Sequence, residues 1–434
     1  MSRATRPRPP IVRVLSPLRD FLALEASGAI LLVVAAVTAL VWANSPWSHS
    51  YESLWTSRAS LTISGHTLDL DLRHWINDGL MTIFFFVVGL EIKRELTDGH
   101  LSSRRAAALP AVAAFGGMII PALVYLAIAG TSAPRGWAIP MATDIALAIG
   151  VLAVAGSRLP SSLRAFLLGL AIVDDIGAIV VIAAVYSTGI KWGWLAAGGA
   201  AIVLTMTLRR LGVHRTLAYV IVGGVAWYSL HDAGIHPTLA GVALGLLTPA
   251  TPRLDVDLID DTELIDLSDV EAAHSTSELA RGSISVVEWL QHVLHPWTSF
   301  VIVPLFALAN SGINITFDGL DSAVRSPITW GVFFGLLAGK PLGVVLATRL
   351  AVRAGIADTP DGAIPRQIVG IGAAAGIGFT VALFITELAL TNPVDRSNAK
   401  LAILTASTLA AVLSGVLLTH RKSKNSAPSS GGSR

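Results

Sequence analysis

Long apolar stretches constrain this chain of 434 residues more than any other feature of its sequence. A membrane-spanning helix needs about 20 mostly apolar residues to cross about 30 Å of hydrocarbon, and such stretches follow one another between residues 29 and 418. Only 14% of the residues are charged, against about 25% in a soluble domain. The chain has no cysteine, which excludes a disulfide-stapled domain and a cysteine nucleophile. The sequence therefore predicts a polytopic membrane protein that does not bind nucleic acid.

The apolar stretches predict an all-α protein with about 12 transmembrane helices. Three of the candidate spans are interrupted by glycine or proline, namely Trp137–Ala155, Pro237–Leu247 and Gln367–Leu390. Most lysines and arginines fall on one side of this arrangement, so the positive-inside rule predicts that both termini are cytoplasmic. The first apolar stretch is too long for a typical signal peptide and is interpreted as a retained helix.

Outside the spans, the sequence indicates four further segments. Residues 1–20 are basic and are expected to lie in the cytoplasm, ahead of a transmembrane domain that extends over residues 21–420. Leu61–Leu72 alternates apolar and polar residues around Ser64–His66, which is typical of a β-hairpin, here on the outer side. An acidic stretch at about 250–285 is expected to be a solvated or partly disordered cytoplasmic loop, and residues 421–434 a disordered cytoplasmic tail.

Ionisable residues in the middle of spans are the candidate functional residues, because a charge in hydrocarbon costs several kcal/mol and usually marks an ion or proton pathway. Asp174 and Asp175 are adjacent in an otherwise apolar helix. Their side chains point about 100° apart, so one can coordinate a cation while the other pairs with a basic residue. The alternative is that the two aspartates cap a broken helix. Lys340 also lies mid-span, and an Asp174–Lys340 pair would satisfy both charges, unless the pair is purely structural.

Asp144 follows Pro140 and Thr143 in an interrupted span. Proline frees backbone groups, which are tolerated at membrane depth only where they line a cavity or are buried in protein. Thr143 and Asp144 would then offer hard oxygen ligands to a small alkali cation, or Asp144 would balance the positive ends of half-helices. A second interrupted span, with four glycines between residues 370 and 378, lies in the other half of the chain. Such a pair of broken spans indicates an inverted-repeat transporter whose discontinuous helices cross at the site.

A cluster of charges lies at the inner end of the second span, with two histidines before the ninth. The members are Glu91, Arg94, Glu95, His292 and His295. Glu91 and Glu95 share a helix face at a separation of four residues, and histidine titrates near neutral pH. The cluster therefore forms either a pH-responsive funnel or an ordinary charged rim.

Several ordered motifs resemble the NhaA family of bacterial sodium/proton antiporters. They are Val88–Leu96, Ala142–Ala146, Ala171–Gly177, His292–Trp297, Pro304–Asn310, Gly339–Gly343 and Gly376–Thr380. The resemblance implies twelve helices with two crossed, partly unwound helices, and commonly a homodimer in the bacterial cytoplasmic membrane with a dimer contact at the outer hairpin. By motif, Asp175 resembles the main cation-binding aspartate and Asp174 the neighbour that pairs with lysine, here Lys340.

The resemblance also implies roles for residues around these three. Thr143 and Asp144 match the unwound-helix residues beside the site, and Glu91, Arg94 and Glu95 match a cluster implicated in pH activation. Gln291 departs from the pattern, because the family often has an acidic residue before the position of His292. The acidic insertion at Arg253–Glu278 has no assigned counterpart.

The resulting hypothesis is a secondary antiporter that exchanges Na⁺ or Li⁺ for H⁺, electrogenic and pH-regulated, with no cofactor and no enzymatic activity. Asp175 and Asp174 would bind the cation, and Asp175 with either Asp174 or Lys340 would carry the protons. One alternative is an intramembrane aspartyl protease, but its two aspartates must lie on facing helices. The other is an ion channel, which would not require titratable groups at the midplane.

Overall fold

The computed structural model describes residues 27–63, 66–99, 101–155, 159–211, 213, 215–250 and 285–419. This part of the chain is mostly helical, as predicted, with one small sheet. The basic segment 1–20, the tip of the hairpin at Ser64 and Gly65, nearly all of the acidic loop and the tail 421–434 lie outside the described residues.

The helices and strands are named here in chain order. They are α1 Ser27–Ala43, α2 Ser48–Trp55, β1 Arg58–Ile63, β2 His66–Asp71, α3 Leu72–Thr97, α4 Arg104–Ala129, a 3₁₀ segment Pro134–Met141, α5 Ile145–Ala155, α6 Ser161–Val185, α7 Trp192–Arg210, α8 Thr216–Asp232, α9 Thr238–Leu247, α10 Val286–Asn310, α11 Phe317–Arg325, α12 Pro327–Arg353, α13 Pro365–Ala375, α14 Phe379–Ala389 and α15 Pro393–Thr419.

Among the described residues, seven helices are long and apolar enough to cross a membrane, or nine if each of two bent pairs counts as one span. The pair α1–α2 bends by 116° and the pair α13–α14 by 44°. Helix α9 is apolar but shorter than a span requires. It is one continuous helix, so the interruption predicted for Pro237–Leu247 is wrong. The predicted membrane protein is thus confirmed, while the number of about 12 spans stays a prediction.

The predicted hairpin is an antiparallel pair of strands, β1 and β2, in the register Arg58↔Asp71 to Ile63↔His66. It begins at Arg58, earlier than the alternation of apolar and polar residues indicated. The reason is a backbone hydrogen bond from the amide of Leu72 to the carbonyl of Ser57 (3.0 Å), which extends the pairing to the base of the hairpin.

Helices α4 and α12 pack almost backbone against backbone. A Cβ added to Gly343 would overlap the carbonyl of Gly116, and one added to Gly116 would overlap Ala347. Small residues allow this approach, and close packing is a main source of association between membrane helices because lipid provides no hydrophobic driving force between them. The contact brings Lys340 of α12 against Gly117 of α4.

We expect Gly343→Ala to destabilise the protein, because the added methyl group has no room between α4 and α12. Overpacking of this kind costs about 1–3 kcal/mol. Gly199→Ala is the matched control, since Gly199 lies in a helix with nothing within 4 Å of an added Cβ, and alanine there gains about 1 kcal/mol of helix propensity. Thermal unfolding in detergent should therefore shift in opposite directions for the two variants. Equal shifts would contradict the importance of this contact.

Candidate functional site

The two interrupted spans meet at their breaks. Between the 3₁₀ segment and α5 the helix is lost at Ala142–Asp144, and between α13 and α14 it is lost around Ile377. The hydroxyl of Thr143 donates a hydrogen bond to the carbonyl of Ala375 (2.9 Å), and the amide of Asp144 donates to the carbonyl of Ile377 (2.6 Å). Each break thus satisfies backbone groups that the other leaves free, which is what burial at this depth requires.

Asp144 caps the first turns of two half-helices at once. Its Oδ1 accepts a hydrogen bond from the amide of Leu147 in α5 (3.0 Å). Its Oδ2 accepts from both the amide (3.0 Å) and the hydroxyl (2.7 Å) of Thr380 in α14. A carboxylate at a helix N-terminus is stabilised by free amides and by the helix dipole. Of the two interpretations of Asp144, this geometry favours the balancing of half-helix ends, and it leaves few oxygen lone pairs for a cation.

Asp174 and Lys340 form a fully buried ion pair. Oδ2 of Asp174 lies 2.6 Å from Nζ of Lys340, and neither side chain is exposed. The same ammonium also donates to the carbonyl of Met141, the last residue of the 3₁₀ segment. That carbonyl has no helical partner because the chain unwinds at the next residue, and a cation at the C-terminal end of a helix is favourable. No sequence pattern predicts that Lys340 binds a backbone carbonyl as well as a carboxylate.

Asp175 lies one residue further along α6, and its surroundings are dominated by other carboxylates. The charges that act on it are those of Asp174, Glu91, Asp144 and Lys340. Among the described residues, no group forms a hydrogen bond with Oδ1 of Asp175 or with Oδ1 of Asp174, although both oxygens are buried. Buried oxygens without a partner are rare, and these two, with Thr143 beside Asp174, are the groups suited to hold a small cation.

The predicted inner cluster is only partly assembled. Glu91 of α3 lies close enough to Asp175 to act on its charge. Arg94 and Glu95 form a long contact of 4.0 Å, and Arg94 also acts on His295. His292 and His295 are both exposed on α10. The structure therefore associates Glu91 with the buried site and leaves the two histidines at the surface.

Gln291, the residue that departs from the family pattern, is buried on α10. Its side-chain oxygen and nitrogen both lack a hydrogen-bond partner among the described residues. An unsatisfied buried amide costs about 1–3 kcal/mol, so this position is locally unfavourable in the present conformation.

A further buried polar pair, Asp78 with His236, was missed at the level of sequence. Oδ1 of Asp78 lies 3.5 Å from Nε2 of His236, and Nδ1 of His236 lies 2.8 Å from the hydroxyl of Thr238. His236 belongs to the connection between α8 and α9, where burial lowers its pKa to about 3, so the ring is neutral at physiological pH. The signal that could have found the pair is Asp78 itself, an ionisable residue inside the second span.

The chemistry available at the crossing is the competition of a cation with protons. Two adjacent buried carboxylates provide unpaired oxygens, and one ammonium balances part of their charge. Neutralisation by protons or by a small cation would lower the cost of keeping these charges in a low dielectric.

Comparisons with known proteins agree on one family. The family model described as "Na+/H+ antiporter 1" matches residues 19–418. The chain is 45% identical to the Na(+)/H(+) antiporter NhaA of Oleidesulfovibrio alaskensis over 435 residues, covering 95% of this chain and 96% of that protein. It is also 45% identical to the Na(+)/H(+) antiporter NhaA 2 of Myxococcus xanthus over 416 residues, covering 92% of this chain and 88% of that protein.

Among solved structures, the sodium proton antiporter MjNhaP1 from Methanocaldococcus jannaschii at pH 8 aligns with a TM-score of 0.49 and 13% sequence identity. The alignment covers 94% of this chain and 93% of that one.

Proposed function

This chain belongs to the Na⁺/H⁺ antiporter 1 family and exchanges Na⁺ for H⁺, and we propose that the exchange takes place at Asp174 and Asp175, where the two broken spans meet. The observation that carries this proposal is the pair of buried Oδ1 atoms without hydrogen-bond partners on adjacent carboxylates. Neither the protease nor the channel alternative finds support. The two aspartates lie on one helix, α6, whereas a protease dyad needs facing helices.

Asp175 is the main cation ligand in this proposal. A sodium ion that leaves water must regain oxygen ligands, and a carboxylate supplies both an oxygen and the balancing charge. Oδ1 of Asp175 and Oδ1 of Asp174 are free for this role, and Thr143 adds a hydroxyl next to Asp174. When the cation leaves, the same carboxylate takes up a proton, so that cation and proton never occupy it together.

Lys340 sets the charge balance of the exchange. Its ion pair with Asp174 keeps one carboxylate compensated in the absence of a cation. When the cation binds to Asp174, the ion pair weakens and the Lys340 ammonium releases the second proton, because Asp174 in the pair is already deprotonated. Exchange of more than one proton for each sodium ion would make transport electrogenic. The paired breaks of the 3₁₀ segment–α5 and α13–α14 spans are typical of transporters in which discontinuous helices form the ion site between two repeats that rock against each other.

The proposal also includes the membrane, the oligomeric state, a second substrate and the residues that respond to pH. We propose a bacterial cytoplasmic membrane with both termini in the cytoplasm, a homodimer that uses the β1–β2 hairpin, and Li⁺ as a second substrate. Glu91, which acts on the charge of Asp175, is the best placed of the pH-response candidates, which also include Arg94, Glu95, His292 and His295.

The test is cation-driven proton movement in proteoliposomes that contain the purified full chain and a fluorescent pH indicator. We expect pulses of Na⁺ or Li⁺ to move protons in the opposite direction, whereas K⁺ does not. If transport is electrogenic, clamping the membrane potential with K⁺ and valinomycin should increase the initial rate. A chain that responds to neither Na⁺ nor Li⁺ at any pH between about 6 and 9 would contradict the proposed function.

A further inference from the structure

Two tyrosine hydroxyls hold the 3₁₀ segment of the first interrupted span. Tyr125 of α4 donates a hydrogen bond to the carbonyl of Ala133 (3.0 Å), directly before the segment. Tyr186, the residue after α6, donates to the carbonyl of Arg135 (2.6 Å). Both tyrosines are buried. A 3₁₀ helix rarely continues beyond four residues because its hydrogen bonds are poorly aligned, so a segment of eight residues depends on such outside contacts.

The two tyrosine side chains are closely packed against their neighbours, with no room for larger residues beside Tyr125. A Cβ added to Gly136 would overlap the hydroxyl of Tyr125, and one added to Gly331 would lie 3.0 Å from its ring. On the other side, the guanidinium of Arg135 lies 5.9 Å from the ring centre of Tyr186 and donates to the carbonyl of Val185 (3.2 Å). The start of the segment is therefore bound to α4 and to the end of α6.

The other end of the same segment reaches the ion pair. Its last residue, Met141, accepts a hydrogen bond from Lys340, and Thr143 follows beside Asp174. Because a 3₁₀ helix rises about 2 Å per residue, Met141 lies about 12 Å along the axis from Arg135. If the start of the 3₁₀ segment, which the two tyrosines hold, is displaced, the Met141 carbonyl at its other end is therefore displaced with it.

The helices that provide the tyrosines also provide the ion pair. Helix α6 carries Asp174 and is followed directly by Tyr186, and α4 carries Tyr125 and packs closely on α12, which carries Lys340. The Tyr125 hydroxyl thus ties the 3₁₀ segment to the helix that packs on the Lys340 helix, and the Tyr186 hydroxyl ties it to the end of the helix that carries Asp174.

We propose that Tyr125 and Tyr186 are positioning residues for the exchange: their hydroxyls hold the 3₁₀ segment so that the Met141 carbonyl stays on Lys340 and Thr143 stays beside Asp174. This inference rests on the proposed exchange at Asp174 and Asp175. Neither tyrosine touches the transported ion. Their loss should weaken cation binding and change the protonation of the pair, while transport at saturating sodium is largely kept.

The experiment compares Tyr125→Phe, Tyr186→Phe and the double variant with the parent chain in proteoliposomes. Tyr51→Phe is the matched control, because the Tyr51 hydroxyl is equally buried and donates to carbonyls of Leu308 (2.8 Å) and Ala309 (3.1 Å) in α10, away from the interrupted span. We expect an increase in the apparent KM for Na⁺ of about threefold for each single variant and about tenfold for the double variant. The pH of half-maximal rate should also move in the double variant, while the maximal rate stays within about twofold.

Tyr51→Phe should lower the melting temperature to a similar degree and leave both the KM and the pH profile at the parental values. The proposal is overturned if the tyrosine variants keep the parental KM and pH profile, or if Tyr51→Phe changes them as much. If the double variant does not fold, the two single variants decide by the same criteria. A parent chain without any sodium response would instead overturn the proposed function itself, and this proposal with it.

Discussion

Asp175→Asn is expected to lower sodium-driven proton flux at least about a hundredfold, because it removes the charge that would bind both the cation and the proton. A charged ligand contributes about 3 kcal/mol to such an interaction, which corresponds to about two powers of ten. The amide has the shape of the carboxylate, and Oδ1 of Asp175 makes no hydrogen bond with the described residues that could be lost. The variant should therefore fold with the parental melting temperature or a higher one, since one of several neighbouring negative charges disappears.

Asp321→Asn is the control for this variant. It is the same chemical change at a carboxylate whose side chain is 60% exposed and which, among the residues that the structure describes, pairs with Arg325 of its own helix, and it should transport at the parental rate. Flux is measured in proteoliposomes with equal amounts of protein, and sodium binding is measured by calorimetry on the same samples. Full cation-dependent flux in Asp175→Asn would show that the ion is bound elsewhere.

Lys340→Met is expected to destabilise the protein by about 3–5 kcal/mol. Methionine fills a similar space but leaves Asp174 as a buried carboxylate without its ammonium, and leaves the Met141 carbonyl without a donor. Removal of one partner of a buried pair is far more costly than removal of both. The double variant Asp174→Asn with Lys340→Met should therefore recover most of the lost stability. Thermal unfolding of the four proteins gives the coupling energy between the two residues.

The exposed pair Asp321–Arg325 provides the comparison for this cycle. Both of its side chains are largely exposed, so Arg325→Met should cost no more than about 1 kcal/mol. If Lys340→Met were as stable as the parent, or if the double variant were no more stable than Lys340→Met, the contact between Asp174 and Lys340 would not be a stabilising charge pair.

Much of the candidate site was predictable because charged residues are rare in membrane-spanning segments. Asp174, Asp175, Asp144 and Lys340 stand out from apolar surroundings, and their cost in a membrane marks them without any knowledge of the fold. The same cost applies to Asp78, which lies near the start of the second span but was not among the predicted functional residues. Its partner His236 lies in a connection far along the chain, so no local pattern relates the two.

The role of Asp144 illustrates where such reasoning stops. Proline and glycine near it predict a broken helix, and a carboxylate at a break can either bind a cation or cap a helix. The choice depends on which amides face the carboxylate. Thr380 supplies two donors from a residue far away in sequence, so only the crossing of the two spans decides the question. His292 is a similar case, since its exposure depends on how α10 packs.

The sequence by itself determined that this chain lies in a membrane, that the spans at 137–155 and 367–390 are interrupted, and that Asp144, Asp174, Asp175 and Lys340 are buried there. These properties depend on the local cost of moving apolar, polar and charged groups between water and hydrocarbon, which adds along the chain and can be counted from it. Only the tertiary structure decided which backbone groups and charges meet: Lys340 with the Met141 carbonyl, Asp144 with two half-helices, and two tyrosines with one 3₁₀ segment. Hydrogen bonds act over about 3 Å, so these contacts depend on packing between distant segments.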